Sequence, residues 1–322
     1  MRALVTGGSG FVGSHLIELL LRRGDVVTAL VRSPAKASRL VELGVRRVHG
    51  DLDDLPALRS AVDGSEIIYH VAGRVAAADE RSFLDANQGG TQNLVAAATA
   101  AGRPRFVLVS SLAAAGPSRP GRPHRGDETP RPVSAYGRSK LAGERVVRHS
   151  ALPWCIVRPP MVYGPRDREL LRVFRLCRRG LAPVFGDGGQ ELCAVYAPDL
   201  VEALVAVGTS EATVEGTYYA CGDERFTSAE FVGAVGRALG RRVSILRVPA
   251  GLARPLLRGA GLLARAAGRT TLLAGDKVEE LLQPAWTADP GPLTRATEWR
   301  AAHDLASGLA ETARWYREAG WL

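Results

Sequence analysis

Thr6-Gly7-Gly8-Ser9-Gly10-Phe11-Val12-Gly13 stands directly between the apolar run Ala3-Leu4-Val5 and a segment in which Val12, Leu16, Leu19 and Leu20 recur at helical spacing. Glycine at 7, 10 and 13 permits positive φ and lets the backbone approach a pyrophosphate. The ligand's charge would meet the free N–H groups and the positive dipole end of the following helix. A glycine-rich match alone is weak, but one placed after a strand and before a helix predicts a dinucleotide-binding turn. Gly24, after Arg22 and Arg23, reads as the stop of that helix, and the β-branched run from Val26 to Val31 reads as the next strand.

The same alternation continues outward. Strand-like runs are expected at 3–5, 26–31, 45–49, 67–71, 106–109 and 155–157, separated by helical patterns. This is the signature of βαβ units closing a parallel sheet, so the fold class is α/β, a Rossmann-type doubly wound sheet with a smaller C-terminal substrate lobe. The cofactor domain is expected over 1–165, with a returning segment near 192–208, and 166–322 is expected to form mainly the substrate lobe. Residues 116–132 carry so many prolines, glycines and arginines that they read as a long loop. A helix is expected around 169–179, a turn at Gly186-Asp187-Gly188-Gly189, and a final amphipathic helix from about Asp304.

The 322 residues carry a net charge of +9, with 42 basic residues of which only Lys36, Lys140 and Lys277 are lysine. The arginines are spread along the sequence without interleaved aromatics, which argues against nucleic acid as a partner. Cys155, Cys177, Cys193 and Cys221 show no paired spacing of the zinc or disulfide kind, so no metal and a reduced, cytoplasmic setting are expected. Strand-like residues begin at once, leaving no room for a secretory signal, and arginines interrupt every apolar run before it reaches membrane-spanning length. Arg254, Arg258, Arg265 and Arg269 fall on one face of an ideal helix over about 255–268, with Leu256, Leu257, Leu262 and Leu263 on others. That pattern raises a weak membrane-surface contact beside the plainer reading of a solvated stripe.

At the end of the second strand an NAD-binding chain should carry an acid for the ribose 2′-hydroxyl. Here Val31-Arg32-Ser33-Pro34-Ala35-Lys36 carries none. Arg32 can pair with a 2′-phosphate, with Ser33 as hydroxyl donor and Lys36 as a second charge, so NADP(H) is expected over NAD(H). Tyr136 and Lys140 stand four apart in Ser134-Ala135-Tyr136-Gly137-Arg138-Ser139-Lys140, on one face of a helix running to Val147. A tyrosine is a poor acid–base group near neutral pH unless an ammonium stabilises its phenolate. A lysine at 140, in a chain that otherwise writes arginine, suits that need.

These motifs fall in an order that resembles the extended short-chain dehydrogenase/reductase family, the NAD(P)-dependent epimerase/dehydratase superfamily, over essentially the whole chain. Gly7, Gly10, Phe11, Val12 and Gly13 match its N-terminal fingerprint, and Gly50-Asp51-Leu52 its adenine-contacting element. His70-Val71-Ala72-Gly73 matches the segment lining the cofactor cleft, and Asn87 with Gly90-Thr91 matches the helix that follows. Val109-Ser110-Ser111 with Gly116 matches the strand of the catalytic serine, and Arg158-Pro159-Pro160-Met161-Val162-Tyr163-Gly164-Pro165 the nicotinamide-side loop. The resemblance implies that Ser111 holds the substrate oxygen, Tyr136 passes the proton, and Lys140 binds the nicotinamide ribose and tunes Tyr136. It also implies that Pro159 and Val162 line the cofactor, and it raises a water-ordering role for Asn87. The family often pairs through helices near 81–101 and 134–150, which makes a homodimer an expectation.

Within the family, the C-terminal part, rich in Leu and Ala over 253–267, most resembles the branch of 3β-hydroxysteroid dehydrogenases and dihydroflavonol reductases. Nucleotide-sugar epimerases and dehydratases, the rival reading, typically carry an asparagine where this chain has Met161 and an arginine where it has Leu192. Neither apolar residue can offset a diphosphate, and both suit a lipophilic small-molecule substrate. A third reading, a cofactor-sensing protein without activity, would keep the glycine turn and lose the Ser111/Tyr136/Lys140 set, whereas this chain keeps both. Pro198, in Val195-Tyr196-Ala197-Pro198-Asp199, has no functional account at this level.

Overall fold

The computed structural model describes residues 1–33, 37–249, 251–255, 257, 259 and 277–322. The six expected strands form as β1 (Arg2–Thr6), β2 (Val26–Val31), β3 (Arg46–His49), β4 (Ile67–His70), β5 (Arg105–Val109) and β6 (Trp154–Val157). A seventh strand, Gly216–Tyr218, joins them at one edge. The spatial order is Gly216–Tyr218, β6, β5, β4, β1, β2, β3, and every pairing is parallel. Strand order reverses between β1 and β4, so a crevice opens beyond their C-terminal ends, where doubly wound sheets take their ligands.

Both faces of the sheet are covered, which is why its strands read as apolar runs. Along β1, Ala3 and Val5 face one core with the helices Phe11–Arg22 and Ala197–Thr209. Leu4 faces the other, with the helices Leu55–Val62 and Gly90–Ala100 and with Val147. The chain therefore returns to the first domain further than residues 192–208, through Ala197–Thr209 and then Gly216–Tyr218. Pro198 lies in the first turn of that returning helix, where its missing N–H has no intrahelical acceptor to lose. Asp199 next to it is buried and accepts from the backbone N–H and the ring of His303.

The second lobe has its own core, in which Leu170, Leu171, Phe174 and Cys177 of the helix Leu170–Arg178 pack with Phe231, Val232 and Val235 of Ser228–Ala238 and with Leu309, Ala313 and Tyr316 of Leu305–Glu318. Two parallel strands, Leu181–Phe185 and Ser244–Val248, lie at its edge. Residues 116–132 form no helix and only isolated bridges. They are pinned to the second lobe all the same: Ser118 donates its N–H to the Ala285 carbonyl, and His124 donates its N–H to that of Thr287. Among the described residues no helix is long and apolar enough to cross a membrane. Most of the 255–268 segment lies outside the described residues.

Candidate active site

The glycine turn sits at the crevice. Gly7 has φ +72, and a Cβ there would lie 2.8 Å from the backbone nitrogen of Ala72. A Cβ on Gly13 would lie 2.2 Å from the Gly7 carbonyl oxygen. The turn, the first helix and the segment after β4 can therefore close on one another only as glycine backbone. Gly10 caps the helix Phe11–Arg22 with no side-chain bond to its N–H groups, so the amides of Phe11, Val12 and Gly13 are left to an anion. Thr6 Oγ1 accepts from the Ala72 N–H, which places Val71, Ala72 and Gly73 beside the turn. These features fit the pyrophosphate half of a dinucleotide.

Around the rim, Arg32 is exposed at the end of β2 with Ser33 next to it, and Lys36 lies outside the described residues. Asp51 is exposed, and its carboxylate accepts from the Asp53 N–H. Leu52 packs on Gly90 and its carbonyl accepts from Asn93. Pro159 is buried, with its carbonyl accepting from the Leu112 N–H. Val162 lies in the strand Met161–Tyr163, which pairs with Ala194–Tyr196.

The three residues expected to carry acid–base chemistry come from elements that follow β5. Ser111 follows β5 and caps the short helix Leu112–Ala115, its Oγ accepting from the Ala113 N–H at 3.1 Å. Tyr136 and Lys140 project from the helix Ala135–Arg148. Ser111 is hydrogen-bonded to the Tyr136 phenol. The two helices approach this closely because residue 137 is glycine: a Cβ there would meet the Ala113 carbonyl oxygen at 2.4 Å. Burial pushes the Tyr136 phenol up to about 12, against the Ser111 hydrogen bond that lowers it. Lys140 is buried and donates to the Val109 carbonyl at 2.7 Å. Burial brings its ammonium down to about 8, while the Glu144 carboxylate one turn on favours its charged form.

Asn87 is buried in a π-helical turn, Asp85–Gly89. Its amide donates to the Arg74 carbonyl at 3.0 Å and to Ser139 Oγ at 2.9 Å, and its oxygen accepts from the Arg74 N–H at 2.7 Å. Both amide hydrogens are thus used in tying the cleft segment after β4 to the Tyr136 helix.

Three features were not legible in the sequence. His70, at the end of β4, is buried between Thr6 Oγ1 at 2.7 Å and Thr91 Oγ1 at 3.0 Å, and burial drives its ring down to about 3. Beneath the Tyr136 helix lies an ion pair sealed from water: Arg158 gives Glu144 two bonds, Nε at 2.8 Å and Nη2 at 2.6 Å. Ser110 donates to the same carboxylate at 2.6 Å, and Arg158 donates to the Tyr219 phenol at 3.1 Å. The third is Glu280, from the second lobe, which is buried and hydrogen-bonded to Ser134, the N-cap of the Tyr136 helix. Its negative charge reaches Tyr136 and disfavours the phenolate. Glutamates 144 and 280 carry no local sequence signal, since their partners are brought up by the fold.

A Rossmann crevice with a glycine turn and a Ser–Tyr–Lys cluster meets a direct match in sequence: the profile of the NAD dependent epimerase/dehydratase family covers residues 3–222. The chain belongs to that family. It is an NAD(P)-dependent enzyme of the short-chain dehydrogenase/reductase type. It is 32% identical, over 99% of its length and 95% of the relative's, to the ceramide reductase of Caulobacter vibrioides. It is 31% identical to a 3 beta-hydroxysteroid dehydrogenase/Delta 5→4-isomerase of Mycobacterium tuberculosis, over 80% of this chain and 75% of that one. Among solved structures, DesIV, a dTDP-glucose 4,6-dehydratase from Streptomyces venezuelae with NAD bound, superposes with a TM-score of 0.79 at 26% identity, covering 100% of this chain and 98% of that one.

Proposed function

We propose that this family member is an NADP(H)-dependent reductase, or in reverse a dehydrogenase, that interconverts a ketone and an alcohol on a lipophilic substrate of steroid-, flavonoid- or polyketide-like character. The observation that carries the reading is the Tyr136 phenol hydrogen-bonded to Ser111, with Lys140 one turn behind it on the same helix. The bound nicotinamide supplies or accepts the hydride. Ser111 donates to the substrate oxygen, and Tyr136, protonated well above neutral pH, is placed to deliver the proton that the forming alcohol needs. The Lys140 ammonium holds ribose hydroxyls and, by its charge, eases proton loss from Tyr136 during turnover. Arg32, with no acid beside it, supports the preference for the 2′-phosphorylated cofactor.

The substrate class rests on Met161 and Leu192. Met161 starts a short strand against the second-lobe core, and Leu192 sits in the strand Glu191–Leu192 between Phe226 and Trp286. Charged groups for a diphosphate are missing at both positions. The relatives support the same class by their names, a ceramide reductase and a hydroxysteroid dehydrogenase among them. A second reading, epimerisation or dehydration of a nucleotide sugar, is favoured by solved neighbours such as the dehydratase above. The test is NADPH oxidation across long-chain and polycyclic ketones beside UDP- and dTDP-sugars. Turnover of ketones alone is expected; turnover of the sugars alone would overturn the proposal in favour of the second reading.

A further inference from the structure

The net charge of +9 is not spread evenly over the fold. Residues 170–186 and 239–255 hold eight arginines and neither Asp nor Glu, which leaves a net charge of +1 on the rest of the chain. All eight, namely Arg172, Arg175, Arg178, Arg179, Arg241, Arg242, Arg247 and Arg254, are exposed. These two stretches, remote in sequence, carry the two parallel strands at the edge of the second lobe. Leu181 pairs with Ser244 and Pro183 with Leu246, and the Ser244 N–H donates to the Gly180 carbonyl at 2.9 Å. The pairs Arg178-Arg179 and Arg241-Arg242 therefore meet at the same end of the two-stranded sheet.

The strands alternate. Ala182 and Val184 turn into the second-lobe core, so Leu181, Pro183 and Leu246 point the other way. Leu181 is 57% exposed, Leu246 59% and Leu252, just after the second strand, 64%. Leucines this open, on a sheet face rimmed by Arg178, Arg179, Arg241 and Arg242, form an amphipathic surface and not a merely solvated one, while Arg172 and Arg254 further out pair with Glu169 at 3.0 Å and Glu279 at 3.1 Å. No exposed aromatic lies in either stretch, so a stacking platform for single-stranded nucleic acid is missing.

We infer that this face, Leu181, Pro183 and Leu246 with the rim of Arg178, Arg179, Arg241 and Arg242, docks on an anionic membrane surface, the leucines entering the headgroup layer and the arginines engaging lipid phosphates. It uses none of the residues from 260 to 276. It is also independent of the reading of the active site, because binding is measured without turnover. An arginine beside an anionic leaflet strengthens binding by about fivefold, so the four together are expected to give a hundredfold or more.

The experiment is co-sedimentation of the full chain with phosphatidylglycerol-containing vesicles and with pure phosphatidylcholine vesicles, at low and high salt. Wild type is expected to bind the anionic vesicles and not the neutral ones. The quadruple variant Arg178→Glu/Arg179→Glu/Arg241→Glu/Arg242→Glu is expected to lose binding by roughly a hundredfold or more, with circular dichroism as the check on folding. Leu181→Ser/Leu246→Ser, which keeps every charge, is expected to weaken binding most clearly at high salt, where the apolar contribution dominates. Absence of wild-type binding, equal binding to both vesicles, or an unaffected quadruple variant would overturn the proposal. So would an unaffected leucine variant that binds single-stranded RNA as well as it binds vesicles, which would make the face a polyanion site.

Discussion

Glu144→Gln is the substitution with the largest effect that can be worked from the structure. The side chain of Glu144 is 0% exposed and that of Arg158 is 2% exposed, and the pair is joined by two hydrogen bonds of 2.8 and 2.6 Å. A neutral amide keeps the shape of the carboxylate but leaves a guanidinium charged and buried with no counter-ion. Breaking a buried pair in this way costs about 3–5 kcal/mol, a large part of a typical total of about 5–15. For a chain of this size, the melting temperature should fall by roughly 6–15 °C. Arg158→Met should be milder at low pH, because the stranded carboxyl can take up a proton. The double variant Glu144→Leu/Arg158→Met, which removes both charges of the pair, should recover part of the loss, with Lys140 and Arg148 still deprived of the Glu144 carboxylate and the Ser110 and Tyr219 hydroxyls of their partners. Urea unfolding followed by tryptophan fluorescence measures all three. A Glu144→Gln variant within about 1 kcal/mol of wild type would refute the reasoning, since the cost assigned to an uncompensated buried charge is at least three times that.

Tyr136→Phe should lower kcat by roughly 10²-fold or more while cofactor still binds, measured by steady-state kinetics beside cofactor fluorescence titration; near wild-type turnover would mean that the proton donor is another group. With Lys140 titrating near 8, kcat/KM for ketone reduction should decline as pH rises through that value, and Glu144→Gln should move the decline to lower pH, because Glu144 favours the charged lysine. Arg32→Asp should reverse or abolish the preference for NADPH over NADH, and equal affinities for the two cofactors in both proteins by calorimetry would remove the argument. Stability should fall on acidification: His15 and His70 titrate near 4 and 3 in the fold against 6.5 when free, so their contribution is complete above 6.5 and is lost as the unfolded chain takes up protons that the fold refuses. Asp167, raised by burial to about 6, acts in the opposite sense between 3.8 and 6 and offsets one of the two. The net loss in that window is about 1.4 kcal/mol per pH unit, and urea midpoints that stay flat between neutral pH and pH 5 would contradict it.

The sheet was legible because five of its first six strands are apolar runs rich in β-branched residues, because Val45 and Val48 flank the two arginines of β3, and because a glycine turn between strand and helix has few other uses. The seventh strand was not: Gly-Thr-Tyr at 216–218 is three residues long, begins with glycine and is half-buried, so it has neither length nor periodicity to announce it. The spacing of Tyr136 and Lys140 is a local fact and could be read from a helix. What surrounds them is not local. Residue 144 meets residue 158 only because β6 lies beside the helix, and Glu280 reaches Ser134 across 146 positions. Charge was misread for the same reason. Arginines that look evenly spaced along the chain are gathered by the pairing of 181–185 with 244–248, and no one-dimensional count can see that.

The bond between Ser134 and Glu280 bears on how such enzymes can be recombined. Chimeras that exchange the substrate lobe between relatives usually treat the cofactor half as a finished reaction centre and the other half as an interchangeable glove. In this chain the donor lobe would bring with it the carboxylate that holds the cap serine of the helix bearing Tyr136, and the negative charge that the phenol feels. A graft with alanine at that position would leave the Ser134 hydroxyl without its acceptor and make the phenol easier to deprotonate, so the hybrid would differ in pH profile as well as in what it accepts. Positions 134 and 280 are therefore best inherited from the same parent.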